Sequence, residues 1–302
     1  MTILRWLGYT LLVLLLIAIG AYYWLFVDSR VPAGSYPIDL AEIRKLADTI
    51  AGDKPSEIRM ERIMSFHFPF TAAVAGAGWG EVEAPVYTYQ VAYSDRAIVI
   101  DTAVDGNASK TDPTFDAKAY ARMQTAMLTA TNIVITHEHP DHIGGLVAHK
   151  DLAAVLPHTQ LTQEQVDHPE KMFGLKFPEG AMTNYRPLSY DRYHALAPGV
   201  VLIKAPGHTP GSQIVYVKMA SGQELFFLGD IAWRFESIER LAARARFVSD
   251  YYLQEDRDAV LIELAALKSL HESEPNLIMI AGHDIKQMDD LLKSGVVTKG
   301  FK

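Results

Sequence analysis

His137, His139, Asp141 and His142, each able to bind a metal or move a proton, stand within six positions. They lie in the stretch 131–145, T-N-I-V-I-T-H-E-H-P-D-H-I-G-G. The β-branched run Ile133-Val134-Ile135 reads as a short buried strand. It delivers these residues into a turn broken by Pro140. Along an extended segment alternate side chains share a face, so His137 and His139 can bind one ion together. Asp141 and His142 lie past the proline, where the chain has turned, and can face a second. Gly144 and Gly145 let a helix begin close against whatever the turn holds. A His-rich surface loop is the bland alternative, but three imidazoles and a carboxylate packed this densely are costly unless something binds them.

H-x-H-x-D-H after a β-branched strand resembles the signature of the metallo-β-lactamase-fold hydrolases. That family's later motifs also have counterparts in order. Ala205-Pro206-Gly207-His208-Thr209-Pro210-Gly211-Ser212 resembles its glycine-flanked histidine turn. Phe226-Phe227-Leu228-Gly229-Asp230 resembles its strand ending in a metal-bridging aspartate. Ile278-Met279-Ile280-Ala281-Gly282-His283-Asp284 resembles the strand ending in its last histidine, and the apolar strand before Asp101 fits its first aspartate. The likeness spans about residues 60–290. It implies an α/β fold built as a four-layer αββα sandwich; the residues alone give only mixed α/β with clustered strands. It further implies that His137, His139 and His208 hold one ion, that Asp141, His142 and His283 hold the other, and that Asp230 bridges them.

Imidazole with carboxylate suits Zn²⁺, two per chain, with iron or manganese as the lesser alternatives. Two such ions lower the pKa of a shared water and present hydroxide as nucleophile, while one of them polarises a carbonyl. Asp141 would orient that hydroxide, so Asp141 and Asp230 are the candidate catalytic carboxylates. Asp101 would tighten the site by accepting an imidazole N–H or fixing a turn. A bridging aspartate resembles the lactonase, thioesterase and phosphodiesterase branches more than the true β-lactamases. Gly282-His283-Asp284-Ile285-Lys286-Gln287 and the H-T-P-G-x-Q run at 208–213 resemble N-acyl homoserine lactone lactonases in particular. One position departs: those lactonases carry tyrosine three residues after the bridging aspartate, and here it is Trp233. An indole N–H donates one hydrogen bond but cannot protonate a leaving alkoxide. The expected activity is hydrolysis of a lactone or carboxylic ester on a small, amphiphilic molecule. The alternatives are a thioesterase resembling glyoxalase II, which would need a cationic site, and an inactive membrane-tethered metal-binding protein, which a broken ligand set would mark. Lys171, Lys176, Arg186 and Arg192 read as ordinary solvated charges.

These residues need a scaffold. Residues 6–27 are uncharged and rich in Leu, Ile, Ala and aromatics, and as a helix they reach roughly 33 Å, enough to cross a bilayer core. Tyr22, Tyr23 and Trp24 suit an interfacial belt. The chain therefore divides into a flank 1–5, a transmembrane anchor 6–27, a linker 28–36 and a hydrolase domain 37–302. Val31-Pro32-Ala33 resembles a signal cleavage site, but the apolar run exceeds the roughly 7–15 residues of such signals. The short flank before a large domain suggests a single-pass membrane protein with its catalytic domain outside the cytoplasm, although Arg5 is opposed by Arg30, Arg44 and Lys45. A net charge of −8 without any Lys/Arg tract argues against nucleic-acid partners. The absence of cysteine excludes disulfides and thiolate chemistry.

Asp39 with Glu42 predicts a capped helix through about residue 50. Strands are expected at 58–70, 86–93, 96–101, 200–204, 214–218, 224–228 and 277–280. Helices are expected at 115–129 and in two stretches of 231–274, the second with Leu261, Leu264 and Leu267 on its core face. The glycine-rich segment 72–80 reads equally as a plain flexible hairpin connection and, by the resemblance, as a hairpin flanking the metal site whose Trp79 covers an apolar substrate. Phe173, Phe177 and Trp233 are further candidates for an apolar acyl pocket. His67, His149, His158, His168, His194 and His271 read as surface or packing residues.

Overall fold

The structure is a computed structural model that describes residues 2–302, so Met1 of the expected flank lies outside the described residues. Its strands are β1 (Glu57–Pro69), β2 (Glu81–Ala92), β3 (Ala97–Ile100), β4 (Asn132–Val134), β5 (Tyr193–Ala197), β6 (Val200–Lys204), β7 (Gln213–Lys218), β8 (Glu224–Phe227), β9 (Leu277–Ile280) and β10 (Thr298–Lys299). They form two five-stranded sheets, ordered β10-β1-β2-β3-β4 and β5-β6-β7-β8-β9. Both are mixed: β3 and β4 run parallel, as do β8 and β9, and β1 with β10.

Period-two alternation explains how the sheets stack. Val200 and Leu202 of β6 point inward with Val215, Val217 and Phe227, and meet Ile58, Tyr89, Val91, Ile98 and Ile100 of the first sheet. The intervening residues Val201 and Ile203 face the other way, packing with Tyr216 and Phe226 under the helices Leu40–Ala47 and Arg257–Ser273. Val99 and Ile133 on the outer face of the first sheet lie under the helix Ala117–Thr129, which contributes Met123 and Met127. The result is the expected helix–sheet–sheet–helix layering.

Some expectations shift. The helix that begins after Asp39 stops at Ala47, not residue 50. β2 starts at Glu81, five residues before the expected position. Pro85 hides this, but it lies where β2 pairs only with β1, so its missing N–H costs no ladder bond. The segment 231–274 holds a short helix Glu236–Arg240, a π-helix Phe247–Leu253 and the long helix Arg257–Ser273, rather than two helices. Leu241 and Gln254, both with φ 52°, terminate the first two. β5, β10 and the helix Ile285–Lys293 were not expected. At the N-terminus one helix runs from Thr2 to Phe26; its span Ile3–Phe26 has mean hydropathy 2.1 and none of it is buried.

Candidate metal centre

Five strand ends converge on one edge of the sandwich. Asp101 follows β3 directly, His137 and His139 follow β4, His208 follows β6, Asp230 follows β8 and His283 follows β9. Beyond the turn at Pro140, the helix Pro140–Val147 carries Asp141 and His142. Its close approach is what Gly144 and Gly145 permit. A Cβ on Gly145 would stand 2.0 Å from the Thr102 carbonyl oxygen, and one on Gly144 2.4 Å from the Asp105 amide nitrogen.

The side chains gather in two groups that share Asp230. One contains His137, His139, His208 and Asp230; the other contains Asp141, His142, Asp230 and His283; within each, ligating atoms lie inside 4.8 Å of one another. In the first, His139 Nδ1 is 3.1 Å from His137 Nε2 and 3.0 Å from His208 Nε2, and Asp230 Oδ2 is 3.4 Å from His208 Nε2. In the second, Asp230 Oδ1 is 3.1 Å from His283 Nε2 and 3.3 Å from His142 Nε2. Asp141 Oδ2 completes that group at 3.5 Å from His283 Nε2.

The protein leaves two of these atoms unanswered. His142 Nε2 and Asp230 Oδ1 are fully buried without a hydrogen-bond partner. A buried unsatisfied polar atom is expensive, and two nitrogen-and-oxygen sets joined by one carboxylate fit a pair of divalent cations, Zn²⁺ in particular. Electrostatics agree. Burial, reinforced by neighbouring imidazoles, holds His137 and His139 well below the ordinary imidazole range. Burial acts the same way on His142, but Asp101, Asp230 and Asp141 outweigh it and hold that ring well above the ordinary range. His283 is likewise raised, with Asp230 and Asp141 overcoming burial. Asp230 is held well below the carboxylate range despite its burial, by His283, His142 and His137.

Four ligand rings are also gripped from behind, which fixes tautomer and orientation. Asp101 accepts from His142 Nδ1 at 2.8 Å, and also from the Thr136 amide at 2.6 Å and the Thr136 hydroxyl at 2.8 Å. It does so from the left-handed region, φ 59°, a costly conformation in a non-glycine residue that aims its carboxylate at the site. His208 Nδ1 meets Glu255 Oε2 at 2.8 Å, and Glu255 is paired with Arg244. Arg244 Nη1 donates to the Asp230 carbonyl at 2.7 Å. The His283 Nδ1 partner is the carbonyl of Pro85 at 2.8 Å. His137 Nδ1 faces the Thr136 hydroxyl at 3.2 Å. Glu138 ties the histidine turns together, accepting from Thr209 Oγ1 at 2.7 Å and Gly211 N at 3.2 Å, and burial raises its carboxyl. Sequence reading missed Thr136, Glu138, Arg244 and Glu255; the one signal was an arginine inside the alanine run 242–245.

Above the two groups opens a cleft of about 430 Å³, with Phe66, Phe68, Val104, Phe173, Trp233 and Tyr252 on its walls. His139, Asp141, Asp230 and His283 lie at its base. The Trp233 indole donates to Asp230 Oδ2 at 2.7 Å. Three expectations need correction. Trp79 does not cover the cleft; it packs on the N-terminal helix, donating to Tyr22 Oη at 3.0 Å, because the segment 70–80 folds towards that helix. Phe177 packs against the core beneath the first sheet rather than lining the cleft. His67, read as an ordinary histidine, stands at the cleft wall because β1 runs on to Pro69 and carries it there.

A αββα sandwich with two His/Asp groups sharing one aspartate at its strand ends defines a metal-dependent hydrolase scaffold. The chain belongs to the metallo-β-lactamase superfamily, whose family model matches residues 82–269. An N-acyl homoserine lactonase from Bacillus thuringiensis is 23% identical over 221 residues, covering 67% of this chain and 82% of that protein. A hydroxyacylglutathione hydrolase from Aeromonas salmonicida (strain A449) is 28% identical over 167 residues, 52% of this chain and 56% of its own length. Among solved structures, an N-acyl homoserine lactone hydrolase with its product N-hexanoyl-L-homoserine at the catalytic metal centre superposes with TM-score 0.61 at 17% identity. It covers 78% of this chain and 96% of that one.

Proposed function

We propose that this protein is a membrane-anchored, dinuclear-zinc hydrolase that opens a lactone or carboxylic ester bearing an acyl chain. The observation that carries this reading is the pair of ligand groups sharing Asp230 at the base of a largely apolar cleft. His137, His139 and His208 would hold one ion, Asp141, His142 and His283 the other, and Asp230 would contribute one oxygen to each. Zinc bound there would supply Lewis acidity and a lowered pKa for water. The remaining work falls to the chain. Phe68, Phe173 and Trp233 hold the acyl portion and exclude water from it. Asp141 faces the cleft, where its carboxylate orients the attacking water and carries a proton to the leaving alkoxide. Trp233 keeps Asp230 in place through its N–H and takes no part in that proton transfer, since the indole N–H is a hydrogen-bond donor and not a usable acid.

The lactonases among the relatives support a lactone over other bonds. The hydroxyacylglutathione hydrolase keeps a thioester in view, but among the described residues no Lys or Arg lines the cleft to receive an acidic thiol. The apolar helix Thr2–Phe26 supports anchoring. The test is zinc content of the purified protein together with a pH-indicator screen of lactones, esters, thioesters and phosphodiesters. About two zincs per chain with lactone turnover, abolished by Asp230→Ala, is the expected result. Thioester turnover alone would reassign the substrate, and absence of stoichiometric metal would overturn the reading.

A further inference from the structure

The end of the apolar helix is built into the domain rather than tethered to it. The Phe26 carbonyl accepts from the Gly76 amide at 2.8 Å and the Thr71 hydroxyl at 3.1 Å. Its ring lies 5.1 Å from that of Trp79 and 6.3 Å from that of Phe247. Arg246 stacks its guanidinium 5.2 Å over Trp24. Just beyond, the buried Asp28 pairs with Arg246 at 3.4 Å, and its carbonyl accepts from Arg257 at 2.6 Å. These contacts fix the direction of the helix relative to the cleft.

Phe247, which touches the helix, opens the π-helix Phe247–Leu253. One π turn later come Tyr251 and Tyr252. Phe247, Tyr251 and Tyr252 are 58%, 60% and 66% exposed. Tyr252 stacks on Phe173 at 6.0 Å, and both line the cleft. Exposed aromatic side chains therefore stand at each step from the apolar helix, through the π-helix, to the mouth of the cleft. Large aromatics left this open to water mark an interaction face, and rings with one polar end suit the headgroup layer of a bilayer.

We propose that this aromatic face lies in the interfacial layer of the bilayer crossed by the helix, so that the cleft opens onto lipid and takes its acyl substrate from there. The inference rests on the anchored acyl-hydrolase reading and adds to it an orientation and a route of entry. It has no equivalent in a domain on a loose tether, which would sample all orientations.

The chain contains no cysteine, so single nitroxide labels can be placed without background. Full-length Phe247→Cys, Tyr251→Cys and, at the opposite ends of the strands, Asp95→Cys are labelled and reconstituted into phosphatidylcholine–phosphatidylglycerol vesicles. Labels at 247 and 251 should relax with dissolved oxygen and resist a water-soluble nickel chelate; the label at 95 should do the reverse. Equal nickel accessibility at all three positions would overturn the orientation, whatever the protein hydrolyses. Entry is tested with the Phe247→Ser, Tyr251→Ser double variant, neither residue lining the cleft. Its kcat/KM on a long-chain acyl lactone dissolved in vesicles should fall by roughly tenfold or more, with a short-chain soluble lactone unaffected. Equal losses on both would overturn the lipid route. Failure of the lactonase reading is separable, because it removes turnover on both substrates from the parent protein and leaves the accessibility pattern intact.

Discussion

At the scale of single residues, the ligand atoms are only half of the site, because four of the five rings are aimed by what stands behind them. Asp101 is the clearest case. Asparagine there tolerates the left-handed backbone and keeps the shape, but replaces a charged acceptor for His142 Nδ1 with a neutral one. Asp101→Asn should therefore weaken zinc affinity by about 10–100-fold with little change in fold, measured by competition against a chromophoric chelator. Unaltered affinity would reduce Asp101 to a turn residue. Trp233→Phe keeps most of the wall of the cleft and deletes the N–H on Asp230 Oδ2. A hydrogen bond to a charged group is worth about 1.5–3 kcal/mol, so kcat/KM should drop roughly 10–100-fold. At this scale the sequence was legible where chemistry imposes residue types in a fixed spacing, as in His137, His139, Asp141 and His142. It was silent on Glu255 and Arg244, whose pairing with His208 depends on a turn some forty residues further along the chain.

At the scale of elements, strand ends and one close-packed helix set the geometry. Alternating β-branched runs made the long strands legible. The breaks in 231–274 were not, because they depend on Leu241 and Gln254 entering the left-handed region, where tertiary contacts rather than local preference decide. Gly145→Ala tests the helix Pro140–Val147: its new methyl cannot coexist with the Thr102 carbonyl, so the helix must back away. A loss of about 1–3 kcal/mol is expected, along with reduced zinc binding, since Asp141 and His142 ride on that helix. The helix Arg257–Ser273 holds a different strain. Glu263 accepts from the Gly207 amide at 3.1 Å through one oxygen, while the other has no partner. Burial pushes this carboxyl from 4.5 up to about 8. The folded protein thus keeps a proton that the unfolded chain releases, and stability falls as pH rises between those values, by at most about 1.4 kcal/mol per pH unit. Glu263→Gln stays neutral throughout. Its stability advantage over the parent should grow from pH 5 to pH 8 and then level off, as read from urea midpoints. A difference independent of pH would mean that Glu263 is not protonated in the fold.

At the scale of the whole molecule, the two sheets meet through an apolar core along most of their faces, but at the site edge they meet through charged and imidazole groups. His137, His142 and Asp101 come from the side of the first sheet; His208, Asp230 and His283 come from the second. Without a cation, that edge buries atoms with no partners, so metal binding and sheet-on-sheet packing are one equilibrium. Zinc at a thousand times its dissociation constant stabilises the fold by about 4 kcal/mol. For a domain of this size each kcal/mol is worth about 2–4 °C. Chelation should therefore lower the melting temperature by roughly 8–16 °C, and readdition of zinc should restore it. The same reasoning applies to the junction at the other side of the π-helix. Signal cleavage after Ala33 would remove Asp28 and leave Arg246 and Arg257 without its carboxylate and carbonyl. Losing one member of such a partly buried set costs about 1–3 kcal/mol. Asp28→Ala should destabilise the domain by that amount, and intact-mass analysis of protein extracted from membranes should find the apolar helix still attached. A mature species beginning at Gly34 with undiminished stability would identify the helix as a signal sequence.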